Sequence, residues 1–178
     1  MRKTIGFLFL IFLLQSCIDP NPNVNEQGED ILEVNKIFLD SADIAFRDTV
    51  YIPIYSDIYS QSIYIKYNLT ATLSIRNTSL RDSIYIEDID YYDSEGERVR
   101  RYLNDVLLVK PMQTIEYVIA EDDNVGGTGA NFIVNWGANT TNVKPLFQGV
   151  MISTHGQQGI SFVTEGVSIS EQTELEVQ

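Results

Sequence analysis

The sequence predicts an all-β chain folded as a single antiparallel β-sandwich, and three observations predict it. The first is the stretch from Ile63 to Arg76. Its odd positions, Ile63, Ile65, Tyr67, Leu69, Ala71, Leu73 and Ile75, are all apolar; its even positions are polar except for Tyr64. A strand sends successive side chains to opposite faces, so this pattern places one face in a core and one in water. The second is the recurrence of short runs of this kind, seven to nine of them at roughly 8–15-residue spacing, divided by polar or glycine-rich turns. The third is composition. The chain carries 10 Tyr and 8 Phe with abundant Ile, Val and Thr, residues that fit a pleated sheet, and no segment shows a convincing helical period.

The bulk numbers narrow the partners. The chain has 178 residues, enough for one ordinary domain. A formal charge of −13 argues against nucleic acid, whose phosphates would be repelled, and against electrostatic attraction to anionic lipid. With one cysteine, Cys17, no intramolecular disulfide can form, and with one histidine, His155, a zinc site built on histidines is not expected. No cofactor is expected.

The N-terminus reads as an address. Arg2 and Lys3 precede a ten-residue apolar run, Ile5 to Leu14, about half of what a bilayer-spanning helix needs. Leu14-Gln15-Ser16-Cys17 follows. It resembles the lipobox of bacterial lipoproteins, in which the cysteine is lipidated and becomes the new N-terminus. Residues 1–16 are therefore expected to be a signal peptide and Cys17 a lipid-bearing residue. Cleavage would remove two positive charges and no negative one, taking −13 to −15. Residues 17–35, rich in Pro, Asn and acids, read as a flexible tether.

The sandwich is expected over residues 36–170, with a charged tail at 171–178. Residues 31–46 are a poorly specified lead-in. Tyr51 to Tyr55 is a short strand, and because Pro53 has no N–H to give a ladder it is expected to be an edge strand or the entry to one. Residues 56–62 read as a turn. The strand from Ile63 to Arg76 would span about 45 Å and is expected to bend near the small Ala71. In Ser83 to Tyr92, Ile84 and Ile86 share one parity while Ile89 and Tyr91 share the other. A one-residue bulge near Glu87–Asp88 would bring all four to one face. Asp93-Ser94-Glu95-Gly96 is a tight turn, with Gly96 free to take positive φ. Residues 97–102, 106–109, 113–120 (Ile115, Tyr117 and Ile119 inward) and 132–136 (Phe132, Val134 and Trp136 inward) supply further strands. Leu146 to Thr154 contains the continuous run GVMI, which suits a strand covered on both sides. Residues 160–164 and 167–169 close the sheet. The run LSIRNTSLRDSIYIEDIDYYD looks like part of an immunoglobulin-like or fibronectin-like module, a likeness of architecture that carries no function.

Five runs, YIPIYSDIY (51–59), LTATLSIRNT (69–78), YYDSEGERVRRYL (91–103), GGTGANFIVNW (126–136) and GVMISTHGQQGISF (149–162), together resemble a family of uncharacterised bacterial exported proteins and lipoproteins, a domain of unknown function. The resemblance spans residues 50–165. It implies one exported domain and brings no activity and no functional residues.

The candidate sites are few. GGTGAN (126–131) is followed by a strand and lacks GK[ST], so phosphate binding is not expected. Glu121, Asp122, Asp123 and Asn124 lack the DxDxDG spacing of a calcium loop and read as a solvated turn. Asp88, Asp90, Asp93, Glu95 and Glu97 alternate between faces, which argues against one cage. Ser153 and His155 lack a GxSxG elbow. Arg98, Arg100 and Arg101 form the sole basic cluster. They read as a solvated edge that resists aggregation or as a docking site for carboxylate or phosphate. The loop from Glu121 to Asn131 is longer than the 2–5 residues a hairpin needs. Its Gly126, Gly127, Thr128 and Gly129, with Asn131, are candidate contacts for an envelope partner; otherwise Val125 and Ala130 tuck down and the glycines let the chain cross between sheets. The functional expectation is a lipid-anchored cell-envelope protein, membrane-bound through its N-terminal lipid, that binds or scaffolds an envelope protein or glycan without catalysis. The alternative is an envelope hydrolase or carbohydrate-active module with an unrecognised site.

Overall fold

The computed structural model describes residues 44–154 and 159–170. The expected signal peptide, Cys17, the tether, His155 and the charged tail lie outside them. Among the described residues twelve strands run in chain order: β1 (Phe46–Pro53), β2 (Asp57–Ser60), β3 (Ser62–Asn68), β4 (Thr70–Arg76), β5 (Ile84–Tyr92), β6 (Arg98–Arg101), β7 (Leu107–Val109), β8 (Thr114–Ile119), β9 (Asn131–Ala138), β10 (Leu146–Ser153), β11 (Ile160–Glu165) and β12 (Val167–Ser168). Among the described residues the only helical element is a 3-10 turn at Gly127–Gly129.

One sheet orders its strands β12-β1-β9-β5-β6, with β7 sharing the β6 edge of β5; the other orders them β11-β10-β4-β8. Every pairing is antiparallel. The sheets close on one core in which Ile52, Leu73, Ile75, Ile86, Ile89, Phe132 and Val134 are fully buried. The two-layer antiparallel sandwich expected from the alternation is present. Ile115, Tyr117 and Ile119 of β8 face inward, as do Phe132, Val134 and Trp136 of β9.

The expected bulge sits where the parity slips. In the β5–β9 ladder the register shifts between Ile86 and Asp88, leaving Glu87 as the extra residue. Ile84, Ile86, Ile89 and Tyr91 are all buried as a result. Gly96 takes φ +82° in the turn that follows, where the Asp93 carboxylate accepts the N–H groups of Glu95 at 3.0 Å and Glu97 at 2.9 Å. Pro53 ends β1 beyond the reach of β12, which pairs only with Val50 and Tyr51. On that side β1 is already the edge, so a missing donor costs nothing.

Four expectations are corrected. The stretch from Ile63 to Arg76 is two strands, and the chain leaves the sheet at Leu69, ahead of Ala71. β10 and β8 pair with β4 only from Thr70 and Ala71 onward, so nothing holds the preceding residues in that sheet. Leu69 is fully buried and donates its N–H to Ser56 O at 2.9 Å, which fixes the departure. Second, residues 56–62 are not a plain turn, because Asp57–Ser60 forms β2 and pairs with β3 as a separate two-stranded ribbon. Third, Ile63 and Ile65, expected inward, are 70% and 44% exposed. Fourth, β4 and β10 depart from the expected division of faces. Ser74 is buried and hydrogen-bonds Glu116, whereas β10 is covered on one face only, with Ile152 exposed.

Candidate functional site

The residues singled out in the sequence gather mostly at one end of the sandwich, where β1 ends and the ribbon begins. Three loops meet there: the link through Ser56, the turn at 93–96 and the glycine-rich loop. The loop joins β8 in one sheet to β9 in the other, so it is a crossover. It is also held on both sides. Ser94 donates from its N–H at 3.1 Å and from its hydroxyl at 3.0 Å to Gly126 O, and the Gly129 N–H donates back to the Ser94 hydroxyl at 2.8 Å. Ser56, fully buried, donates its N–H and its hydroxyl to Gly127 O, each at 3.2 Å. Ile54 donates to Ala130 O at 2.9 Å.

The glycines are required by proximity. A Cβ on Gly126 would overlap the Tyr91 hydroxyl and lie 2.7 Å from Ala130 Cβ. Gly127 takes φ +72°, and its Cβ would lie 2.9 Å from the Ser94 hydroxyl. Ala130 is buried while Val125 is 62% exposed. Thr128 is half-buried; Asn131, also half-buried, opens β9 opposite Pro53 and Tyr92. Beneath the loop, Tyr91 stacks on Phe132 at 5.0 Å between centroids. Burial pushes the Tyr91 phenol up to about 12; the Ser56 hydroxyl works in the other direction, although its own hydrogen goes to Gly127. Tyr91 Oη, Tyr117 Oη and Trp136 Nε1 are buried with no hydrogen-bond partner among the described residues.

The basic cluster is neutralised from within. Arg100 donates to Asp123 of the loop at 2.8 Å and to the Tyr102 hydroxyl at 2.8 Å, and its guanidinium lies 5.5 Å from the Tyr102 ring centroid. Those two hydrogen bonds raise the Arg100 pKa further. On the other side of β6, Arg101 donates twice to Asp90, at 3.0 and 3.3 Å, and lies 3.5 Å from Asp88; Arg98 donates to Asp90 at 3.2 Å. Burial, the largest single influence, pushes the Asp90 carboxyl up. The hydrogen bonds and charges of Arg101 and Arg98 together outweigh it, and Asp90 ends below its ordinary value. A bulge at Val99 separates the two groups, since Tyr91 pairs with Arg100 and Tyr92 with Arg98. Sequence spacing put the three arginines in one patch; the structure divides them between two acidic partners. No three His, Cys, Asp or Glu side chains among the described residues come together as a metal site.

Beside the loop stands the feature that the sequence reading missed. β2 and β3 form a ribbon that pairs with no other strand among the described residues. At its base Ile58 packs on the core and Tyr67 is half-buried. Outward from there, Ile65 is 44%, Tyr59 56%, Ile63 70% and Tyr64 88% exposed. Its charged residues are Asp57 and Lys66 alone. They pair with each other at 3.1 Å, while the Lys66 ammonium sits 5.1 Å from the Tyr59 ring centroid. The one signal in the sequence was the doublet Ile58-Tyr59 just before Ser60-Gln61-Ser62, a strand and a tight turn that the polar neighbours obscured. At the opposite end of the sandwich a cavity of about 340 Å³ is lined by Phe46, Val50, Trp136, Val143, Phe147 and Glu165 among others.

Residues 47–169 match the model of a family described as "Protein of unknown function (DUF3124)". No curated protein matches the chain. Among solved structures, one titled "Crystal Structure of Thermotoga maritima 1070" is similar at 14% identity, covering 67% of this chain and 92% of that one, with a TM-score of 0.38.

Proposed function

This chain belongs to the DUF3124 family of unknown function, and for it we propose a non-catalytic binding module of the bacterial cell envelope, anchored through lipid on Cys17, whose working surface is the β2–β3 ribbon. The observation that carries the reading is Tyr64, 88% exposed, beside Ile63, 70% exposed, on a strand whose outer edge pairs with no other strand among the described residues. An apolar strand edge left open is a template for pairing, and natural proteins ordinarily blunt such edges. A two-stranded ribbon alone is marginal in water, so a partner that covers it is favoured. The glycine-rich loop supports this role from beneath. Through Ser56 and Gly127 it pins the point where the ribbon leaves the body.

The experiment places a photo-crosslinking amino acid at Tyr64 in the full chain, and at Leu80, 79% exposed, as the control. The expected result is one defined adduct from position 64, lost on Ile63→Asp and never formed from position 80. Equal labelling from both positions, or none, overturns the ribbon. The anchor is tested separately. Cys17→Ala should abolish acyl labelling and move the protein out of the detergent phase; a variant that keeps both overturns it.

A further inference from the structure

We infer that the partner of the ribbon is a second copy of this chain, joined by antiparallel pairing of β3 with β3 across a two-fold axis at Ile65. This rests on the ribbon being the binding surface and names its occupant. The argument starts from length. β3 is Ser62–Asn68, seven residues with Ile65 at the centre. A two-fold at Ile65 is the one register that pairs all seven with their counterparts. It sets Ser62 opposite Asn68, Ile63 opposite Tyr67, Tyr64 opposite Lys66 and Ile65 opposite itself.

The chemistry of those pairs is self-consistent. Cross-strand neighbours share a face, so Ile63, Ile65 and Tyr67 of each copy would form one apolar stripe. That stripe continues, through Ile58 at the ribbon base, into the core of each body. On the other face Lys66 would meet Tyr64 of the second copy, repeating the contact that it already makes with Tyr59. No like charges oppose one another. Sliding the axis by one residue to Lys66 would set ammonium against ammonium, which is destabilising, and would leave Ser62 and Ile63 unpaired. Sliding it to Tyr64 would lose Tyr67 and Asn68.

Charge also selects the ribbon as the meeting place. Two chains of net charge −13 repel at long range. The ribbon contributes nothing to that repulsion, because Asp57 and Lys66 cancel. The product would be a closed, isologous dimer with a four-stranded sheet at its centre. Each copy brings the same seven residues, so pairing stops at two.

The test uses the full chain carrying Cys17→Ala, which leaves no native cysteine. Sedimentation should show roughly twice the monomer mass, falling to the monomer on Ile65→Lys, which should still melt cooperatively, at a temperature lowered only by the loss of the dimer's mass-action stabilisation. Ile65→Cys should give a disulfide-linked dimer on mild oxidation. Ile63→Cys alone should not, and Ile63→Cys with Tyr67→Cys should. A monomer at every concentration overturns the inference, as does a dimer that survives Ile65→Lys or crosslinks through Ile63→Cys alone. If the photo-crosslinker at Tyr64 captures a different protein, or if the ribbon instead carries the chain onto phosphatidylcholine vesicles, self-pairing is overturned while the ribbon stands as the binding surface. No adduct at all removes both.

Discussion

β3 and β4 are neighbours in the chain, equal in length at seven residues each, and alike in pattern. They end in opposite environments. β4 lies between β10 and β8, and its Ala71, Leu73 and Ile75 are fully buried. β3 has β2 on one side and no other described strand on the other, and its Ile63 and Ile65 are exposed among the described residues. Alternation marks which side chains share a face. Whether that face is covered depends on how many strands flank it and on whether a second sheet reaches it. Leu69 is the junction, and the glycine-rich loop, acting through Ser56, holds it there.

The largest effect should come from emptying the covered strand. Leu73→Ala is expected to cost about 2–5 kcal/mol, the range for a buried large-to-small change, read from denaturant melts. A loss close to that of an exposed site would break the contrast between the two strands. Next comes the loop that fixes the junction. Gly126→Ala should cost about 1–3 kcal/mol through overpacking, because the new methyl overlaps the Tyr91 hydroxyl. Tyr91→Phe in the same chain should recover part of the loss, and a double-mutant cycle with no coupling would place the strain elsewhere.

A smaller effect belongs to the salt-bridged β5–β6 edge. The folded Asp90 carboxyl titrates below its unfolded value. Its contribution is therefore fully present above the ordinary value of 3.8 and is lost as pH falls through the folded one. Asp90 is buried, but Arg98 and Arg101 are each about half exposed and solvent screens the pairs. Asp90→Asn should therefore cost about 1 kcal/mol at neutral pH and should flatten the acid limb of the stability curve. An unchanged acid limb would assign that limb to other carboxylates. The smallest effect is expected on the uncovered strand. Ile65→Ala in the isolated monomer should change stability by under about 0.5 kcal/mol. A loss like that of Leu73→Ala would mean that β3 is covered within its own chain.

The sequence by itself determined the fold class, the bulge at Glu87, the turn at Gly96 and the inward faces of β8 and β9. Each of these follows from parity or backbone freedom within a few consecutive residues. Parity alone forces a bulge between Ile86 and Ile89 if all four apolar side chains are to reach one core. Only the tertiary structure decided which alternating strand would be covered, because that depends on neighbours distant in the chain. It also divided the arginine cluster, since Asp123 lies 23 residues from Arg100 and Asp90 lies 11 from Arg101. The glycine-rich loop shows both sides. Its glycines were visible as unusual, but their reason is the close passage over Tyr91 and Ser94, a proximity that exists only once two sheets have packed.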